Sequence, residues 1–257
     1  MKNIALFERT ERMLGAETME SLAQTRVAIF GLGGVGSWCA ESLVRSGVRR
    51  LMLVDSDRVC ASNVNRQLMA TTKTVGQVKV VALAERLKEI NPDADFDVRQ
   101  EIYDSETANS FDLGQWDYVI DAIDSLDNKA RLIRHALSVP TATLFASMGA
   151  ALKMDPFQIR QSTFDKVSGD GLARALRQKF RKTGGLPERP FVCVWSPERR
   201  ENLWTPEAED DPRPAGDTWS ARKARINGTV AHTTAIFGFA LAGLVVADVE
   251  RRVVSRP

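Results

Sequence analysis

Through the first 150 residues, short apolar runs alternate with stretches of helical periodicity. Residues 26–31 (RVAIFG) and 50–55 (RLMLVD) are nearly continuous apolar runs, the pattern of strands buried on both faces. Between them, residues 35–46 predict a helix closed by Gly47, which completes a βαβ unit. A further helix is predicted over 75–90, stopping at Asn91-Pro92 because proline disfavours helical backbone in the residue before it. Residues 96–102 alternate as a strand, 118–121 form a short apolar strand, 127–138 a helix and 141–146 a strand. This alternation predicts an α/β fold: a Rossmann-like, mostly parallel sheet with helices on both faces.

Beyond Gly149 the periodicity weakens. Residues 171–182 predict an amphipathic helix with Leu172, Leu176 and Phe180 on one side and Arg174, Arg177 and Arg181 on another. Residues 191–195 resemble a strand, and the Pro-, Asp- and Glu-rich stretch 205–218 predicts a surface loop. From 227 to 247 there is no formal charge if His232 is neutral, a length that invites a membrane-span reading. Asn227, His232, Thr233 and Thr234 shorten the apolar part to 235–247, too short to cross roughly 30 Å of hydrocarbon as a helix. It reads instead as a helix buried in the core or between subunits. The expected organisation is a nucleotide-binding domain over 1–150 and a C-terminal α/β extension over 151–257 packed on it.

Composition sharpens this in three places. The 257 residues are 44% hydrophobic and 26% charged, which is globular and long enough for a sizeable core. Cys39, Cys60 and Cys193 form no C-x-x-C, so neither a disulfide framework nor a four-cysteine zinc site is expected, and a reducing cytoplasm is the natural setting. The N-terminal stretch is broken by charges every few residues, unlike a secretory signal. Net charge is +2, divided as −3 over residues 1–150 and +5 over 151–257, so the second part is where an anionic macromolecule is expected.

Gly31-Leu-Gly33-Gly34-Val-Gly36 follows a predicted strand and opens a predicted helix. In that setting Gly31 permits a tight turn, Gly33 and Gly34 let backbone approach a ligand, and Gly36 lets helix and strand pack closely. Free N–H groups at the helix start favour phosphate. Asp55 ends the next strand, where a carboxylate accepts from ribose hydroxyls. These features fit NAD as well as ATP. The residues that follow separate the two: Ser62-Asn63-Val64-Asn65-Arg66-Gln67, then Lys79, then Asp121 and Asp124. A hydride-transfer enzyme has no need of an Arg and a Lys converging on phosphates, whereas transfer of AMP does. Arg66 supplies a planar fork for β- and γ-phosphates, Lys79 a compact charge for the α-phosphate, and Asp124 a carboxylate for Mg²⁺.

In this order the residues resemble the ThiF/MoeB/HesA and ubiquitin-activating superfamily, with its G-x-G-G-x-G, strand-end Asp, S-N-x-x-R-Q, helical Lys and later Asp, over about residues 22–147. The resemblance implies ATP contacts at the four glycines, at Asp55 and Asp57, from Ser62 and Asn63 through Asn65, Arg66 and Gln67, and at Lys79, Asp124 and Ser125. Arg66, Lys79 and Asp124 become the catalytic set, with Asp124 toward Mg²⁺. It further implies a homodimer in which an N-terminal arginine reaches the partner's ATP, Arg9 being the candidate and Arg12 its near neighbour.

The second half is similar to a tRNA-modifying branch of that superfamily at Ser147-Met-Gly-Ala150, Lys153-Met-Asp-Pro156, Gly171-Leu-Ala-Arg174, Val194-Trp-Ser-Pro-Glu198 and Phe237-Gly-Phe239. That implies a substrate carboxylate on a threonylcarbamoyl adenosine beside the anticodon, adenylated by ATP and then closed into a ring with loss of water. Arg174, Arg177, Arg181 and Lys182 are the candidate tRNA contacts, and a sulfur-transfer protein is a further partner the branch brings with it. Ala150-Ala151-Leu152 departs from the glycine-rich pattern usual there. The alternative is activation of the C-terminus of a ubiquitin-like or sulfur-carrier protein, against which stands the missing pair of C-x-x-C motifs. A nicotinamide-binding redox protein is the third reading. Cys193, among large apolar residues, reads as inert core, and His135 and His232 as structural.

Overall fold

The computed structural model describes residues 4–204 and 227–255. Helices α1 (Ile4–Leu14) and α2 (Ala16–Gln24) precede strand β1 (Arg26–Phe30), and α3 (Gly36–Arg45) leads to β2 (Arg50–Val54). Then come α4 (Lys79–Ile90), β3 (Asp95–Arg99), β4 (Tyr118–Asp121), α5 (Leu126–Ser138) and β5 (Thr143–Ser147). The second part adds β6 (Arg160–Thr163), α6 (Gly171–Lys182), β7 (Val192–Trp195) and α7 (Ala231–Val254). One seven-stranded sheet runs in the order β3-β2-β1-β4-β5-β7-β6. Every neighbouring pair is parallel except β6 with β7.

The near-continuous apolar strands have a direct cause. Val27, Ile29, Leu51, Leu53 and Ile120 face a layer built from α2, α3, α4 and α7. The alternate residues Ala28, Phe30, Met52, Val54 and Val119 face α5 and α6. With both faces covered, neither set can be polar. The second segment adds two strands to this same sheet and lays α7 against α3 and α2. At Gly238 an added Cβ would sit 2.5 Å from the Val35 carbonyl oxygen, so glycine is what lets α7 and α3 approach. By length and composition α7 could cross a membrane, yet more than half of its most apolar window is buried inside the molecule. Its polar end is also tied in, since Tyr118 Oη donates to Asp248 at 2.8 Å.

Three predicted elements shift, and one strand was unforeseen. The predicted helix 75–90 begins only at Lys79, because the residues before it pair with another segment. Gly76 is left-handed (φ 91°), Gly76 N donates to Val59 O and Val59 N to Gln77 O, both at 2.8 Å, and Arg58 bridges Val78. The strands predicted at 96–102 and 141–146 run over Asp95–Arg99 and Thr143–Ser147. β6 has the polar sequence RQST and bonds only to β7, so it carries no apolar signature of its own. The acidic stretch 205–218 lies outside the described residues.

Candidate active site

Strand order reverses between β1 and β4, and the carboxyl ends of the strands there open into a cleft of about 970 Å³. Gly31, with φ 86°, turns the chain out of β1, and its missing side chain leaves room for the Ala122 carbonyl, which an added Cβ would approach to 2.7 Å. A Cβ on Gly36 would meet the Gly31 oxygen at 1.9 Å, so this glycine serves packing and does not line the cleft. Gly34 faces Thr234 of α7, while Gly33 is the more open of the pair, with Gln67 Nε2 as its nearest neighbour at 3.8 Å. The loop is tied to the second strand by Asp55, whose Oδ2 accepts from Leu32 N at 2.7 Å and whose Oδ1 accepts from Asp57 N at 2.9 Å.

Lys79 is brought here by the delayed start of α4. Its backbone N–H donates to Asp57 O, its Nζ lies 2.8 Å from Asp57 Oδ2 and 3.8 Å from Asp55 Oδ1, and its side chain is buried. Arg66 lines the same cleft, its Nη1 donating to Ser62 O at 3.0 Å and Asn65 Oδ1 at 2.8 Å. Burial pushes its pKa down and Asp124 opposes that shift; a guanidinium stays charged regardless. The loop carrying it is pinned from α3, since Trp38 Nε1 donates to Arg66 O and Ser37 Oγ accepts from Leu68 N. Ser62 and Asn65 therefore support Arg66 and do not line the cleft, and Asn65 also donates to Thr229 O at 3.1 Å. Gly31, Gly33, Gly34, Asp55, Asp57, Asn63, Arg66, Gln67, Lys79, Asp124 and Ser125 do line it.

Asp124 is exposed at the mouth of the cleft, on a turn fixed from beneath. Lys129 Nζ forms a fully buried ion pair with Asp121 at 2.9 Å and donates to Ile123 O at 3.0 Å, while Ile123 N donates to Asp121 Oδ1. Sequence reasoning missed Lys129, although a lysine on the buried stripe of α5, beside Ala130, Leu132 and Ile133, is the kind of residue that marks a buried pair.

A further part of the wall comes from the chain beyond β5: Gly149 to Lys153, Gly169 to Leu172, Arg174, Glu198 to Glu201, Asn227 and Thr229. Of that wall, only Arg174 is a contact that the sequence singles out. Arg174 is exposed and lines the cleft, and Arg181 and Lys182 are exposed farther along α6. Arg177 requires a correction. Its Nη2 donates to Phe164 O at 2.7 Å and Val167 O at 2.5 Å, and its guanidinium lies 4.9 Å from the Phe164 ring centroid. It is an internal brace rather than a solvent-facing cation. Nearby, Lys179 pairs with Asp127 and Arg189 donates to Val139 O and Ala142 O.

Arg9 lies exposed on α1 and does not line the cleft of its own chain. Cys193 is buried on β7, and burial pushes its thiol up, away from thiolate chemistry. His135 Nδ1 meets Tyr103 Oη at 2.8 Å and His232 Nε2 meets Met154 O at 2.9 Å, both bonds within the scaffold.

The ThiF family model matches residues 7–247. The chain is similar to the tRNA threonylcarbamoyladenosine dehydratase of Bacillus subtilis (strain 168), 43% identical over 180 residues that cover 69% of this chain and 70% of that protein. The enzyme of the same name from Haemophilus influenzae is 35% identical over 183 residues, covering 70% and 68%. Among solved structures, the E. coli tRNA N6-threonylcarbamoyladenosine dehydratase in complex with ATP aligns with a TM-score of 0.85 at 28% identity, covering 99% of this chain and 97% of that one.

Proposed function

The chain belongs to the ThiF family, and from that premise we infer that it is an ATP-dependent dehydratase that cyclises threonylcarbamoyladenosine in tRNA by adenylating its carboxylate. One observation carries the reading beyond family membership. A single cleft is lined by nucleotide-type residues of the first half, among them Arg66, Lys79 and Asp124, and by residues of the second half. A nucleotide and a second reactant therefore share one space.

A carboxylate is a poor electrophile, and adenylation remedies that. A substrate carboxylate oxygen attacks the α-phosphorus of ATP, and the bond to pyrophosphate breaks. Arg66 and Lys79 face the phosphates and carry the charge that develops on them. Asp57, which holds Lys79 Nζ in the free protein, is two-thirds exposed and can release it. Among the described residues no group of three or more His, Cys, Asp or Glu side chains is placed to hold a metal. The exposed Asp124 carboxylate together with ATP phosphates is the sparse oxygen set that magnesium accepts, and bound there it would neutralise phosphate charge. The carbamoyl group of the same nucleoside then attacks the activated carbonyl, AMP leaves, and the ring closes with net loss of water. No enzyme nucleophile is needed, because a well-oriented intramolecular attacker has an effective molarity of ~10⁵ M or more.

Arg174 and Arg181 are seven residues apart on α6, about 10 Å along the axis and nearly in line, so the helix leads from the cleft outward as a track for RNA phosphates. The nucleotide-binding half, residues 1–150, and the extension, 151–257, thus divide ATP from tRNA. Homodimerisation, with Arg9 reaching the partner's nucleotide, and a sulfur-transfer partner protein complete the proposal in a cytoplasmic setting.

Incubation with ATP, Mg²⁺ and tRNA carrying the modification, followed by nucleoside mass measurement, tests the reading: the nucleoside loses one water and AMP accumulates. Adenylation of a ubiquitin-like or sulfur-carrier C-terminus with the tRNA nucleoside unchanged would replace it.

A further inference from the structure

Lys153 is a buried lysine lining the same cleft as the nucleotide loop, and neither adenylation nor ring closure as assigned to Arg66, Lys79 and Asp124 uses it. Its side chain is only 6% exposed. Its Nζ donates to Glu198 O at 2.8 Å, and the nearest carboxylate oxygen, Asp170 Oδ2, is 3.9 Å away, beyond hydrogen-bond reach. An ammonium has three donors. Among the described residues one is used, so the group is desolvated with much of its bonding capacity unspent.

The neighbouring acids have other duties. Asp170 Oδ1 caps α6 through Ala173 N at 2.8 Å, and Glu198 Oε2 accepts from Met154 N and Asp155 N at 2.8 and 2.9 Å. Burial pushes the Lys153 pKa down, and Asp170 and Glu198 oppose that shift.

The backbone that presents Lys153 is strained and held from several sides. Leu152 has φ 57°, a left-handed conformation that a leucine adopts only under constraint. Leu152 N donates to Gly228 O at 2.9 Å, and Thr233 Oγ1 donates to Lys153 O at 3.2 Å. His232 contacts the next carbonyl, that of Met154. Bracing one carbonyl needs only a neutral donor. A buried cation supported this carefully suits an anion arriving from the cleft.

We propose that Lys153 holds the substrate carboxylate that is to be adenylated, orienting it toward the α-phosphorus within the cleft it shares with Arg66 and Lys79. The assignment rests on the dehydratase reading. The phosphates already have Arg66, Lys79 and the glycine loop, so the substrate carboxylate is the anion left for Lys153. Fixing the carboxylate offsets its repulsion from the triphosphate, and the freed oxygen remains the nucleophile.

The test compares wild type with Lys153→Gln and Lys153→Met, using ATP and tRNA with or without the threonylcarbamoyl group. Lys153→Gln keeps a donor for the Glu198 carbonyl and removes the charge; Lys153→Met removes both and reports through its melting temperature whether the brace matters for folding. The KM for modified tRNA should rise about tenfold in Lys153→Gln, as expected for loss of a charge-assisted bond. The KM for ATP should stay within about twofold, and binding of unmodified tRNA should match wild type, because that RNA offers no carboxylate. An unchanged KM for modified tRNA in folded Lys153→Gln overturns the assignment. So does equal weakening toward modified and unmodified tRNA, which indicates a structural role. A wild type that binds ATP but leaves the modified nucleoside intact overturns the dehydratase reading, and this assignment with it.

Discussion

The arginines of α6 make a sharp test because the structure sorts them into two kinds. Arg177 donates two hydrogen bonds to the carbonyls of Phe164 and Val167, both buried residues. Truncation to alanine leaves the Val167 carbonyl without its arginine partner, takes one of two bonds from the Phe164 carbonyl, which keeps Val167 N, and removes the guanidinium from the Phe164 ring, so a loss of about 3 kcal/mol is a moderate expectation. For a chain of this size each kcal/mol moves the melting temperature by ~2–4 °C, which gives a drop of roughly 6–12 °C. Arg174 and Arg181 are exposed, and among the described residues neither side chain has a bond or ion pair. Reversing both to Glu should change stability by no more than about 0.5 kcal/mol. Their effect belongs to RNA: for every phosphate no longer neutralised, the slope of log affinity against log salt should flatten by ~0.7–0.9. Thermal melting and tRNA titrations at several salt concentrations separate the two kinds. A melting temperature for Arg177→Ala within about 2 °C of wild type would refute its role as a brace. An unchanged salt slope in the Arg174→Glu/Arg181→Glu double variant removes α6 from the RNA surface.

Arg66→Ala should lower kcat by ~10²–10³, the usual loss for one donor aimed at developing charge, while leaving the melting temperature near wild type; equal turnover in a rapid-quench assay would exclude Arg66 from the phosphate site. Gly36→Ala forces a Cβ to 1.9 Å from the Gly31 oxygen, so it should cost ~1–3 kcal/mol and abolish the melting shift that ATP gives the wild type, both read by calorimetry. Burial raises the Glu41 pKa, but hydrogen bonds from Arg86 and Arg45 outweigh it and hold the carboxyl below its usual range. Its stabilisation is thus full above the ordinary carboxylate pKa and lost as pH falls through the lowered folded value, so Glu41→Gln should be less stable at neutral pH and show a shallower acid limb in denaturant titrations. Parallel acid limbs in the two proteins would show that the Glu41 pair contributes nothing.

Several parts of the molecule are legible in the order of residues. The alternation of apolar runs with helical stretches locates β1, α3, β2, β4, α5 and β7, because strands covered on both faces must be apolar throughout. The amphipathic stretch 171–182 matches α6 at both ends, capped by Asp170, whose side chain accepts from Ala173 N. The glycine spacing at 31–36 announces its turn because a left-handed backbone and a Cβ-free approach leave few other residues possible. The predicted start of α4 falls four residues early because nothing in residues 75–78 reveals that they pair with 58 and 59.

Sequence alone determined the α/β class and the nucleotide-type loop, since each rests on residue types at short spacing whose geometry is local, and it offered Arg66, Lys79 and Asp124 as candidates. Only tertiary structure decided which residues share the cleft. Lys153 meets Glu198 across 45 positions, Leu152 is held by Gly228, and Arg66 is steadied by Trp38, and no periodicity encodes those encounters. The same holds for charge. In the sequence Arg174, Arg177 and Arg181 are equivalent cations on one helix, and what distinguishes them is whether a buried carbonyl from another element lies within reach.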